Sequence, residues 1–133
     1  MNEKRYFAIS LKNISGGCEL RNPFYKNAVS PKDYSFFTTS KKLLSITEGM
    51  FDFFSQLTLY PGLSQKLDFQ ILNSVSFVGR IQKIVLPHSK VFSYFDNNPA
   101  GKRVSLKLLD GLSNSIDMSA IYENKKDFNQ LLT

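Results

Sequence analysis

Two carboxylates in this chain, Glu48 and Asp96, each close a short apolar run. Leu43-Leu44-Ser45-Ile46-Thr47 is a short apolar run that ends in Glu48-Gly49, and Val91-Phe92-Ser93-Tyr94-Phe95 is another that ends in Asp96-Asn97-Asn98-Pro99-Ala100-Gly101. Each run has the length and composition of a buried strand, and each acid is followed at once by glycine or by Pro-Ala-Gly and a helix-like segment. In a parallel α/β sheet this puts both acids at the carboxyl ends of strands, where such folds place their binding crevice. Two acids brought together there make a site for a divalent cation.

The elements that must position these acids follow from periodicity. After the strand at 43–47, the residues Met50, Phe51, Phe53, Phe54, Leu57 and Leu59 predict an apolar helix that Pro61-Gly62 ends. Further strands are predicted over 68–73, 91–95 and 113–118. Helices are predicted over 75–85, from Pro99 to about Leu109, and from about Lys125. Pro99 suits a first helical turn, where its missing N–H costs nothing. This alternation implies right-handed crossovers and about four parallel strands flanked by helices. Ahead of it, residues 5–12 and 18–22 predict a hairpin around Gly16-Gly17, 22–31 a loop with two prolines, and 34–39 another strand. The predicted organisation is thus a small β-rich N-terminal region, 1–40, packed on an α/β domain, 41–133.

Composition narrows the classes. A chain of 133 residues with 42% hydrophobic content fits one compact domain with its own core. Its 17 basic and 11 acidic residues give a net charge of +6, which favours polyanionic partners, nucleic acid above all. No run resembles a membrane span or a cleavable signal peptide, so the expected location is the cytoplasm, with no membrane partner. Cys18 is the only cysteine and His88 the only histidine, which excludes an internal zinc ribbon. No Walker A sequence is present, so the chain carries no P-loop motor.

Several candidates have two readings. Asp52 lies four residues after Glu48 and can reach the same crevice, or simply favour the first turn of its helix. Asp96, before Asn-Asn-Pro, is also ordinary capping composition. Gly101 permits close backbone approach, and Lys102-Arg103 set two cations beside the acids or on a solvated helix face; Lys126 shares that ambiguity. Arg21 and Lys26, interleaved with Asn22, Phe24 and Tyr25, read as a single-strand binding surface or as a structural loop. Asn73-Ser74 end a strand and contact phosphate or make a turn. His88 reads as surface structure and Cys18 as a packing residue.

Taken jointly, Glu48-Gly49-x-x-Asp52 and Asp96-x-Asn98-x-x-Gly101 resemble the signature of the Toprim domain found in bacterial-type primases, topoisomerases and some nucleases. Lys126-Asp127-x-Asn129 resembles the late acidic motif of primase-like proteins. The segment from Tyr6-Phe7-Ala8-Ile9 through Gly16-Gly17-Cys18-Glu19-Leu20-Arg21-Asn22 to Pro31-Lys32-Asp33 is similar to what precedes Toprim in primase-like proteins of bacterial mobile elements. The resemblance implies Mg²⁺ or Mn²⁺ held by Asp96, Asn98 and Asp127. It gives Glu48 a role in metal binding or proton transfer, with Gly49 keeping its surroundings open. It implies nucleotidyl transfer, primer synthesis on a single-stranded DNA template from nucleoside triphosphates, with a zinc-binding module or helicase on a separate domain or chain. One residue departs from the pattern. The family usually has Asp-x-Asp where this chain has Asp96-Asn97-Asn98, so one ligand position brings an oxygen but no charge. Two alternatives share the resemblance: a metal-dependent nuclease, and a non-catalytic scaffold that binds nucleic acid, for which Asn98 is the main argument.

Overall fold

The structure is a computed structural model that describes residues 7–39, 41–111 and 114–132. Predicted strand residues 5, 6 and 113 lie outside that set. The first strands, β1 (Ile9–Lys12), β2 (Cys18–Arg21) and β3 (Lys26–Val29), form a three-stranded antiparallel sheet in that order. The turn between β1 and β2 needs its glycines: Gly16 has φ +93, and a Cβ on Gly17 would fall 2.0 Å from the Pro31 carbonyl oxygen.

β3 occupies the stretch predicted as a loop. Asn22 is responsible, since its Oδ1 accepts the N–H groups of Phe24 and Tyr25 at 2.8 and 2.7 Å and folds the chain back. The strand itself, Lys-Asn-Ala-Val, is mostly exposed and shows no apolar alternation by which to recognise it.

The main sheet has five strands in the order β4-β6-β5-β7-β8. Four run parallel: β5 (Leu43–Thr47), β6 (Leu67–Ile71), β7 (Lys90–Tyr94) and β8 (Ser115–Asp117). β4 (Ser35–Phe37) pairs antiparallel with β6 at one edge, so the strand predicted with the N-terminal region contributes to the main sheet. In the centre, Thr47 stands opposite both Ile71 and Tyr94, which brings three strand ends level.

Helix α1 (Met50–Leu59) leaves β5 directly and lays Met50 and Phe53 over Leu67, Phe69 and Ile71. The opposite face is covered by α3 (Pro99–Gly111), through Val104 and Leu108, and by the segment 75–85. That segment is not the single helix its sequence predicts. It forms a 3₁₀ stretch, Val75–Arg80, and one helical turn, α2 (Gln82–Val85). Gly79 and the β-branched Val75 and Val78 are weak α-formers, and burying Val75, Val78 and Ile81 against the sheet takes precedence. The predicted C-terminal helix is likewise a 3₁₀ stretch, Phe128–Leu132, beginning where Asp127 Oδ1 accepts the Gln130 N–H at 3.1 Å.

His88 is buried, contrary to the surface position its polar loop suggests. Its Nε2 lies 2.8 Å from Asp68 Oδ2 and its Nδ1 2.6 Å from the Ile84 carbonyl. Asp68 also accepts from Thr38 Oγ1 and from the Thr39 and Lys41 amides, so this pair fastens the β4–β5 connection beneath the sheet.

Candidate metal centre

The acids gather at the carboxyl ends of the central strands. Glu48 follows β5 immediately, Asp52 lies in the first turn of α1, Asp96 follows β7, and Asp127 precedes the final 3₁₀ stretch. Carboxylate oxygens of Asp52, Asp96 and Asp127 lie within 4.8 Å of one another. Glu48 is the fourth acid of the group, and its Oε2 accepts the Asp96 backbone N–H at 2.8 Å, tying the ends of β5 and β7 together.

Electrostatics follow from this crowding. Burial, then repulsion from Glu48, Asp52 and Asp127, pushes the Asp96 carboxyl up to about 7. Burial also raises Asp52 to about 7, with Asp127 and Glu48 repelling it, while the Asn129 and Gly49 amides pull the other way. The cluster thus resists full ionisation at neutral pH, which is the condition a bound cation relieves. Its donors are all carboxylate oxygens, the hard set that suits Mg²⁺ or Mn²⁺ rather than zinc, so the residues fit the ion.

Around the acids the crevice has a volume of about 410 Å³, and Arg21, Lys26, Asn73, Ser74 and Lys126 also line it. Arg21 belongs to β2 and Lys26 to β3, so two of the cations lining the crevice come from the small sheet. Gly49 lines it too, and a Cβ there would stand 4.0 Å from Asp52 Oδ2. Asn73 has φ +63, and its Nδ2 is spent on the Asp33 carbonyl and Ser35 Oγ, both at 2.9 Å, so it shapes the wall from β4.

Four other sequence candidates stand apart from this lining. Asn98 Oδ1 accepts the Gly101 N–H at 2.8 Å and so caps α3. Lys102 and Arg103 are exposed on α3 and do not line the crevice. Gly101 serves through packing: a Cβ there would fall 2.1 Å from the Asp96 carbonyl oxygen, so only glycine lets α3 start so close to the Asp96 loop.

Two asparagines fasten the segment that carries Asp127: Asn97, which spacing does not single out, and Asn129, which it gives only as a motif position. Asn97 donates through Nδ2 to the Tyr122 and Lys125 carbonyls at 2.7 and 3.0 Å, and its backbone N–H reaches the Lys126 carbonyl at 2.7 Å. Asn129 donates its N–H to Asp52 Oδ1 at 3.0 Å, and its Oδ1 lies 2.7 Å from Ser55 Oγ. Tyr122 and Phe128 pack on Tyr94, and Tyr122 Oη donates to the Phe95 carbonyl at 2.7 Å. The only sequence signal was that these asparagines sit inside acidic motifs; their partners are far along the chain.

Comparison with known proteins bears on the family and the fold. The sequence matches the family described as Toprim-like over residues 45–132, and a domain of unknown function, DUF8464, over residues 1–30. No curated protein matches it. The fold is similar to the primase fragment of the bacteriophage T7 primase-helicase protein, with a TM-score of 0.71 and 17% identity, over 94% of this chain and 56% of that one. A second similar chain, at TM-score 0.68 and 15% identity, covers 94% of this chain and 69% of that one. It comes from a bacteriophage T7 assembly of lagging-strand DNA polymerase with primase domains of two gp4 subunits bound to an RNA/DNA hybrid and dTTP. The chain therefore spans little more than half the length of the T7 primase fragment. Among the described residues no helix is long and apolar enough to cross a membrane. With the Toprim-like match covering most of its length, the chain, whose Asp52, Asp96 and Asp127 gather in one crevice, belongs to the Toprim-like family.

Proposed function

We propose that this chain is a primase-like module that uses Mg²⁺ or Mn²⁺ to join nucleotides on a single-stranded template. The observation that carries the reading is the convergence of Asp52, Asp96 and Asp127 in one crevice whose other walls supply the cations Arg21, Lys26 and Lys126. Carboxylates alone repel a phosphate; carboxylates that hold a divalent ion, with fixed cations alongside, attract one.

In this reading Asp52, Asp96 and Asp127 hold the ion, which supplies charge neutralisation at the phosphate undergoing transfer. Glu48 supports the Asp96 loop through its hydrogen bond to the Asp96 amide and lines the same crevice, where it would serve in metal binding or proton transfer. Arg21, Lys26 and Lys126 orient template and triphosphate. Asn98 contributes as the α3 cap, and Lys102 and Arg103 contact nucleic acid only beyond the crevice. The similar T7 primase domains, bound to an RNA/DNA hybrid and dTTP, support these substrate classes. Zinc-binding or helicase modules on another domain or chain would supply template recognition and movement.

Calorimetric titration of Mg²⁺ and Mn²⁺, with Asp96→Ala as control, tests the proposal. Binding by the wild type that disappears in the variant is expected, followed by metal-dependent primer extension. Metal binding that survives Asp96→Ala would refute this site. Specific binding without extension or cleavage would favour the non-catalytic scaffold, the reading to which the neutral Asn98 lends its weight.

A further inference from the structure

Four recesses of the surface meet at one side chain. Arg21 lines the acidic crevice, a groove of about 530 Å³ that also contains Lys26, Lys32 and Ser76, and two recesses beside the small sheet. Its guanidinium is held in place, because Nη1 donates to the Leu20 and Asn27 carbonyls at 2.9 and 3.2 Å. A fixed cation therefore stands at the junction, with the Glu19 carboxylate of the same groove 3.9 Å from its Nη2 and Lys26 and Lys32 leaving that groove an excess of positive charge.

One of these recesses has no part in metal chemistry. It has a volume of about 510 Å³, and Phe7, Ile9, Arg21, Asn22, Pro23 and Phe51 form its walls. Phe7 is 96% exposed and Phe51 41% exposed, so two phenyl rings face the outside here. The buried face of α1 is made by Met50 and Phe53, which leaves Phe51 without a role in the core. Phe51 precedes Asp52 and lines both the recess and the crevice, so one turn of α1 offers a ring to the first and a carboxylate to the second. Asn22 builds the recess: its Nδ2 donates to the Phe7 carbonyl at 3.2 Å while its Oδ1 fixes the turn after Pro23.

An apolar slot on one side of a fixed cation, with a basic groove and an acidic metal-binding cluster on the other, fits a flat ring joined to phosphate. Single-stranded nucleic acid has that form at every residue, and cations that follow its backbone with aromatics that stack its bases are how it is commonly held. A docked protein segment would also cover Phe7 and Phe51, but it would give no use to the line of Lys32, Lys26 and Arg21 leading toward the same corner. We propose that this recess receives an unpaired base of the strand whose neighbouring phosphate lies at the acidic crevice, with Phe51 as the stacking surface. The inference rests on the nucleic-acid reading above and adds a base-binding position to it.

The test is fluorescence anisotropy of a labelled single-stranded oligodeoxynucleotide with the full chain in Mn²⁺, alongside the same oligonucleotide carrying abasic sites. Intact oligonucleotide is expected to bind roughly tenfold more weakly to Phe51→Ala, with Phe51→Trp restoring affinity. The abasic oligonucleotide should bind the wild type with the same deficit, and Phe51→Ala should not distinguish the two. Equal binding of both oligonucleotides by the wild type, or undiminished binding by a folded Phe51→Ala, would overturn the base-binding position and leave the functional reading standing. Failure of the wild type to bind either oligonucleotide would overturn both.

Discussion

Asn97 offers the sharpest test of how this site is assembled, because its side chain touches none of the acids yet fixes one of them. Replacing it by alanine removes two hydrogen bonds to the Tyr122 and Lys125 carbonyls and keeps the backbone bond to Lys126. A neutral hydrogen bond contributes ~0.5–1.5 kcal/mol net, so the pair is worth about 1–3 kcal/mol. The Lys125 bond is exposed and water can replace it, whereas the Tyr122 carbonyl is partly buried, which places the expected loss near ~2 kcal/mol. The loss should be local at first, loosening the segment from Tyr122 to Asn129 that carries Asp127. Hydrogen exchange over residues 119–132 should accelerate, and Mn²⁺ affinity should fall although every carboxylate remains. Asn97→Asp should be at least as harmful, since it sets a carboxylate against two carbonyl oxygens. Unchanged exchange together with unchanged Mn²⁺ affinity in Asn97→Ala would refute the claim that this side chain positions Asp127.

Two further perturbations follow from the same geometry. Burial raises the Asp68 carboxyl, but the His88 ring, the Thr39 and Lys41 amides and the Thr38 hydroxyl together hold it below its ordinary 3.8. Its stabilising contribution is therefore complete above that ordinary value and lost as pH falls through the lower folded-state value. Urea denaturation should show Asp68→Asn less stable by about 3 kcal/mol at pH 7, with a gap to the wild type that narrows at pH 3; a constant gap would contradict the assignment. Gly101→Ala should cost about 1–3 kcal/mol and weaken metal binding, because the new methyl displaces the Asp96 carbonyl; a variant with wild-type melting temperature and Mn²⁺ affinity would show that α3 adjusts freely.

The central architecture was legible because it is written in local patterns. Strands β5 and β7 are short apolar runs closed by an acid, and α1 and α3 are bounded by Gly49, Pro61-Gly62 and Pro99, signals that need no tertiary context. What escaped reading was set by contacts distant in sequence. β3 depends on the Asn22 turn and on pairing with β2, and its exposed residues leave no hydrophobic trace. His88 is drawn inside by a carboxylate twenty residues earlier. The 75–85 segment has a helical spacing of apolar residues, but those residues satisfy the sheet better as a 3₁₀ stretch followed by a single turn. At the site, the acids were visible as types at motif positions, while Asn97 and Asn129, which hold them together, act through partners in other segments.

The neutral residue at position 98 is best understood from its place at the start of α3. Asp52 and Asp96 are pushed to about 7 by burial and by the neighbouring carboxylates of the crevice. Asn98 stands outside that lining and performs the structural task of its position by accepting the Gly101 N–H, since an asparagine caps a helix as well as an aspartate does. In the proposed reading the charge for a cation comes from Asp96 and, from α1 and the C-terminal segment, from Asp52 and Asp127. That division has a structural consequence: a site built from two strand ends alone would be rigid, whereas this one depends on a segment attached by Asn97, Tyr122 and Asn129. If the crevice holds a cation as proposed, its affinity is coupled to the docking of residues 119–132, and loosening that segment should weaken binding although every acid remains.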